Sequence, residues 1–194
     1  LLPFQSIAQG FSPREIAKWE QQSKNITIIR DNWGIPHIYG KSDADAVFGL
    51  LYAQCEDDFK RVELNYVEKL GRMAELNGKD AIYDDLLIRL IINANDAKAD
   101  FQKAPEWLKK LCYAFADGIN YYLFKHPDVK PALLNRFEPW FPLLWTDGSI
   151  GAISTADITE QELKAFYGGK PILTRIPLHK EERTTGSNGF AIGP

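Results

Sequence analysis

Towards the end of the sequence stand Gly186, Ser187, Asn188 and Gly189, followed by Phe190, Ala191 and Ile192. Residue types 186 and 187 can do chemistry with no other side chain. A serine hydroxyl beside a flexible glycine can attack the preceding carbonyl and move the acyl group from nitrogen to oxygen. Hydrolysis of the resulting ester cuts the chain and leaves Ser187 with a free α-amine. The reference pKa of such an amine is about 8. Near neutral pH it can take the proton of its own hydroxyl, which makes a nucleophile that needs no histidine. The plain alternative is a turn, because Gly-Ser-Asn-Gly is a loop cluster and Phe190-Ala191-Ile192 reads as the start of a strand.

Other chemistries find little support. There is no GxSxG, no GxGxxG and no Walker loop. His37, His126 and His179 are far apart, and none has a partner at zinc-ligand spacing. The acidic runs Glu56-Asp57-Asp58 and Asp84-Asp85 read as solvated helix faces. Cys55 and Cys112 are too few for a disulfide scaffold and sit among apolar neighbours. They read as two buried thiols, with a single disulfide as the alternative in an oxidising compartment. The net charge of −3 is spread along the chain. No basic block points to nucleic acid or an anionic membrane surface, and no apolar run is long enough to span a bilayer. No charged segment followed by an apolar core opens the sequence as a signal peptide would.

With 194 residues the chain is long enough for one sizeable domain or two small ones. Residues 11–24 read as a polar helix capped by Ser12, with Pro13 at its first position. Residues 26–39 read as a β-hairpin turning at Asp31-Asn32-Trp33-Gly34. Ser42 caps a helical pattern over 44–76 that Gly71 breaks, and a further helix spans 80–92. Pro105 opens another, with an apolar stripe through Leu108, Leu111, Phe115, Ile119 and Tyr122, ended by His126-Pro127. Residues 127–147 carry too many prolines for a continuous helix and read as an ordered wrap. Thr159 caps a helix over 160–167, and an extended polar stretch with strands at its two ends follows. The whole reads as mostly α with a few strands, an α+β chain.

The order of short motifs resembles the penicillin acylase family. Ile28-Ile29-Arg30-Asp31-Asn32-Trp33-Gly34-Ile35-Pro36-His37-Ile38 is similar to that family's opening stretch. Phe48-Gly49 with Tyr52-Ala53-Gln54, and Gly71-Arg72-Met73-Ala74-Glu75 with Gly78-Lys79-Asp80, resemble the segments that follow it. Phe115-Ala116-Asp117-Gly118-Ile119-Asn120 resembles a family helix, and Trp145-Thr146-Asp147-Gly148-Ser149-Ile150 an element of some members. Gly186-Ser187-Asn188-Gly189-Phe190-Ala191 resembles the junction at which a family precursor cuts itself. Two departures stand out. Cys55-Glu56-Asp57 occupies the place of the usual Asp-Arg, and Gly189-Phe190 replaces the commoner Ala/Asn-Trp.

The resemblance implies an N-terminal-nucleophile hydrolase made of a small α subunit and a larger β subunit. Residues 1–24 would be a helical arm, 25–186 the α subunit, and 187–194 the start of β. The chain would then be the α-subunit part of an αββα architecture completed by the β subunit. Cleavage between Gly186 and Ser187 would free Ser187 as the catalytic nucleophile. The substrates would be N-acyl compounds such as β-lactam antibiotics or acyl-homoserine lactones, and no cofactor is implied for catalysis. The family's oxyanion donors lie in β, so the chain alone is expected to be inactive. The family's structural calcium takes residues from both subunits. Where an α-subunit acid would stand, this sequence has Gly151-Ala152-Ile153-Ser154, with Asp157 and Glu160 nearby. The implied location is periplasmic or secreted, with the signal peptide removed. Residues 137–145 could line an acyl pocket or simply pack the core. Arg30 and Asp31 read as anchors of the hairpin turn, Gly34 as its permissive position, and His37 as structural, with no partner visible in the sequence. The rival is a non-catalytic helical interaction module.

Overall fold

The computed structural model describes residues 10–144 and 158–168. Helix α1 (Pro13–Ser23) leads into a hairpin of β1 (Ile26–Arg30) and β2 (Pro36–Gly40). Helix α2 (Asp43–Lys69), the short α3 (Ala74–Asn77) and a 3-10 turn (Gly78–Ala81) follow. Then come α4 (Ile82–Ile91), α5 (Ala94–Lys103), α6 (Glu106–Lys125), a second 3-10 turn (Phe141–Leu144) and α7 (Glu160–Tyr167). The described residues are thus mostly helical with one two-stranded antiparallel sheet, in agreement with the α+β expectation. The strands expected in the final segment lie outside the described residues.

The caps named from sequence form. Ser12 with Glu15, and Thr159 with Glu162, each make a complete capping box, and the Ser42 hydroxyl accepts from the Asp45 N–H. Within α2 the backbone breaks at Asp58 (φ −160°, ψ 76°). Its Oδ1 accepts from the Arg61 N–H at 3.0 Å, so Asp58 restarts the helix as an internal cap. The acidic run at 56–58 is therefore more than a solvated face. Asp85 differs from its reading too. It is buried, and its two oxygens accept from the N–H groups of Met73 and Ala74 at 2.8 and 2.7 Å, which caps α3 from across the fold. Helix α5 was not anticipated, because only Ala97 of its residues is buried and its apolar stripe is weak.

The centre of the fold is the crossing of α2 and α6. At Gly118 a Cβ would stand 2.5 Å from the Phe48 carbonyl oxygen, so only glycine lets the two backbones approach this closely. Around the crossing pack Phe48, Phe59 and Val67 of α2 and Ile119, Tyr122 and Leu123 of α6. Each large side chain buried there contributes roughly 1.5–3 kcal/mol. Helix α1, inside the segment read as an arm, puts Trp19 into the same core, where its ring meets those of Phe11 and Tyr121 edge-on. Cys55 and Cys112 are both free and buried, as the simpler reading had it.

The 127–144 segment is a wrap, pinned from below. The buried Glu63 carboxylate accepts from the N–H groups of Ala132, Leu133 and Leu134 at 2.9, 2.7 and 2.8 Å. Buried Asn120 donates to the Phe137 carbonyl (2.9 Å) and accepts from its N–H (2.8 Å). These bonds turn Phe137, Phe141 and Leu144 inward, so these three residues are core. The pocket-lining role suggested for this segment does not apply to them.

Candidate functional site

Gly186, Ser187 and the 145–150 element lie outside the described residues, as does Asp157. Glu160, the other acid near the expected calcium position, opens α7 and is ion-paired with Lys164 one turn on. Among the described residues no group of three or more His, Cys, Asp or Glu could hold a metal ion. No described helix is long and apolar enough to cross a membrane.

The densest motif makes the hairpin. Strands β1 and β2 pair with Ile28 opposite Ile38 and Arg30 opposite Pro36. Their inward residues Ile26 and Ile38 rest on Gly49 of α2, where a Cβ would lie 2.8 Å from each of their Cγ2 atoms. That close seat is what the Phe48-Gly49 motif provides. At the tip, Asp31 Oδ1 accepts from the N–H groups of Trp33 and Ile35, both at 2.9 Å. Gly34 takes the left-handed backbone the turn needs (φ 81°). His37 Nε2 lies 3.2 Å from Asp31 Oδ2, so it has a partner that the sequence reading lacked. The Ile35 N–H, then His37 and the Trp33 N–H, hold the Asp31 carboxyl below the usual carboxylate range.

Arg30 joins the hairpin to α2. It reaches Glu56 at 3.1 Å and Asp57 at 2.7 Å, and it donates to the Gly34 carbonyl at 2.9 Å. The guanidinium pKa is raised, first by the hydrogen bond to Glu56 and then by Asp57. The departure noted at Cys55-Glu56-Asp57 thus supplies both carboxylates that grip the motif arginine. Beside them opens a cleft of about 720 Å³, whose walls include Arg30, Trp33, Tyr122 and His126. The Tyr52 hydroxyl lies 3.3 Å from His126 Nε2. Burial, helped by the Glu56 charge, pushes the Tyr52 phenol up to about 12, so the tyrosine keeps its proton near neutral pH. This pair is separated by 74 residues and carried no sequence signal. The cleft offers His126 and a paired arginine, and its described walls hold no serine or cysteine nucleophile.

The other motifs also do framework work. Arg72 and Glu75 form a two-pronged ion pair at 2.6 and 2.8 Å, and Arg89 donates to the Gly71 carbonyl at 3.0 Å. Gly118 and Asn120, in the helical motif, make the α2–α6 crossing and the clamp on Phe137.

The family model described as Penicillin amidase matches residues 25–194. The chain is similar to "Penicillin acylase 2 proenzyme" of Pseudomonas sp. (strain SE83), at 32% identity over 62% of this chain and 16% of that protein. It is similar to "Acyl-homoserine lactone acylase QuiP" of Pseudomonas putida, at 32% identity over 62% of this chain and 15% of that one. "Penicillin G acylase" of Escherichia coli is 29% identical over 69% of this chain and 16% of its own length. The chain therefore spans only a small part of the curated relatives it matches. In fold it is similar to a thermostable penicillin G acylase from Alcaligenes faecalis, with TM-score 0.59 and 16% identity over 74% of this chain and 81% of that one.

Proposed function

The chain belongs to the penicillin amidase family, and we propose that it is the small-subunit part of an N-acyl amide hydrolase of the N-terminal-nucleophile type. Residues 25–186 form that part, and 187–194 begin a larger β subunit that completes the αββα architecture. Cleavage between Gly186 and Ser187 frees the Ser187 amine. The Ser187 Oγ then attacks the substrate carbonyl while its proton passes to the α-amine. The C–N bond breaks as that proton moves to the leaving nitrogen, and an acyl ester remains on Ser187. Water, deprotonated by the same amine, hydrolyses the ester and restores the hydroxyl. The oxyanion donors come from the β subunit, so this chain alone is inactive. The substrate class is an N-acylated small molecule, such as a β-lactam or an acyl-homoserine lactone, and the enzyme works in the periplasm or outside the cell.

The observation that supports this reading is that the family match runs through residues 25–194 without leaving out Gly186-Ser187. The described framework is compatible with it, because its motifs spend their side chains on holding shape and leave the chemistry to Ser187. Mass spectrometry of the full-length protein tests it. The wild type is expected to separate between Gly186 and Ser187, and Ser187→Ala is expected to stay intact and inactive. A wild-type protein that is fully active while uncut would sink the mechanism.

A further inference from the structure

We propose that the outward face of the hairpin is the surface onto which the larger, downstream part of the precursor docks, with Trp33 as its anchor. The identity of the partner rests on the two-subunit reading above. The surface itself rests on the hairpin.

A hairpin with one face on a helix normally turns polar residues outward. This one does not. Ile26, Ile28 and Ile38 face inward, yet Ile29 (54% exposed), Tyr39 (60%), Ile35 (57%) and Trp33 (88%) also lie open. No other large hydrophobic among the described residues is as exposed as Trp33. Apolar residues on both faces are the mark of strands covered on both sides. A two-stranded sheet is also marginal by itself, and among the described residues neither of its outer edges is paired.

The tip is held in shape before any partner arrives. Asp31 fixes the Trp33 and Ile35 amides, and Arg30 holds the Gly34 carbonyl. A pre-formed turn loses less conformational freedom on binding. The charge beside it is spoken for as well, since Arg30 is paired with Glu56 and Asp57. A neutralised arginine beside exposed Trp, Tyr and Ile does not suit an anionic membrane or nucleic acid, both of which need free cations. It suits a lasting protein interface with an aromatic centre. The size of the relatives favours one occupant. The matched stretch is 16% of the penicillin acylase 2 proenzyme and 15% of the Pseudomonas putida acylase. A protein of that size brings a much larger body to cover this face.

The test uses the full-length precursor with p-benzoylphenylalanine replacing Trp33 or, separately, Tyr39. After irradiation, crosslinked peptides are mapped by mass spectrometry. Both positions are expected to join residues beyond 194. Crosslinks confined to residues 1–194, crosslinks between the hairpins of two copies, or a yield no greater than from the same probe at exposed Trp107 of α6, would each overturn the proposal. In addition, Trp33→Ala should weaken association of the two parts by about tenfold or more. Unchanged association would remove Trp33 as the anchor. The mapping reads equally well on an uncut chain. Failure to cleave at Ser187 therefore defeats the proposed mechanism alone, and a cleaved, active enzyme without these crosslinks defeats the docking surface alone.

Discussion

Asp31 and Glu63 both accept hydrogen bonds from backbone N–H groups, in opposite surroundings and over very different reaches. Asp31 sits at the surface and binds amides two and four residues further on. Glu63 is 2% exposed and binds three amides 69 to 71 residues away. The first carboxylate shapes a turn that water could also have solvated. The second replaces water for a carboxylate buried in the core and ties the wrap to α2. A local carboxylate sets the form of one loop, whereas a distant one sets where a whole segment runs. The Asp31 turn in addition presents Trp33 outward, while the Glu63 clamp draws Phe137 and Phe141 inward.

That contrast predicts unequal sensitivity, and each of the following measurements in the full-length protein can sharpen or break it. Glu63→Ala takes the acceptor from three amides, that of buried Leu134 among them, and opens a cavity, so it should destabilise by about 4 kcal/mol. Glu63→Gln keeps an acceptor oxygen and should lose roughly half of that. Urea unfolding measures both, and a Glu63→Ala protein within about 1 kcal/mol of wild type would erase the contrast. Asn120→Ala removes the neighbouring clamp on Phe137 and should cost about 2 kcal/mol. Because both clamps hold one segment, the double variant should lose less than the sum of the two singles, and strict additivity would mean that they act separately.

Glu15 lies between the two extremes, since it caps α1 locally through Ser12 and reaches Arg136 across the fold. The Ser12 hydroxyl, then the Ser12 N–H and Arg136, lower its carboxyl from 4.5 to about 2. A carboxylate with a depressed folded pKa stabilises above its unfolded value and loses that contribution as pH falls through the folded one. Glu15→Gln should therefore be weaker than wild type by about 1 kcal/mol near neutral pH, the group being partly solvated. The gap should be complete above 4.5 and close towards 2. Unfolding measured across that range checks it, and a gap that widens in acid would reverse the assignment.

The smallest global effects belong to the hairpin tip. Asp31→Ala should speed hydrogen exchange of the Trp33 and Ile35 amides while leaving the α2–α6 core amides protected, and loss of core protection would contradict the local role. His37→Ala removes a ring that touches Asp31 at 3.2 Å and faces solvent. Turnover of the folded, processed enzyme should stay within about tenfold, whereas losing a general base typically costs a hundredfold or more. A thousandfold loss in such an enzyme, counted by active-site titration, would move His37 into the chemistry.

Much of this was legible in the residues. Ser12 with Glu15, and Thr159 with Glu162, are three apart, as a capping box requires, and both form. The hairpin was visible because Asp31, Gly34 and Pro36 each restrict a few neighbouring bonds. The apolar stripe of α6 was visible because its period is the helix's own. Helix α5 escaped because its face is mostly alanine and charge, which leaves little period to detect. The kink at Asp58 escaped because an aspartate inside an acidic run looks like any solvated helix residue.

The sequence by itself determined most of the local elements, the family, and the serine on which the proposed chemistry rests, since each of these is written in adjacent residues or in the order of motifs. Only the tertiary structure decided what those motifs do. It placed Glu56 and Asp57 around Arg30, Tyr52 against His126, Asp85 over α3 and Glu63 under residues 132–134. Such pairs join residues 11 to 74 positions apart. No spacing rule reaches that far, because which polar groups meet is settled by how α2 and α6 cross, and that crossing depends on the packing of the whole core.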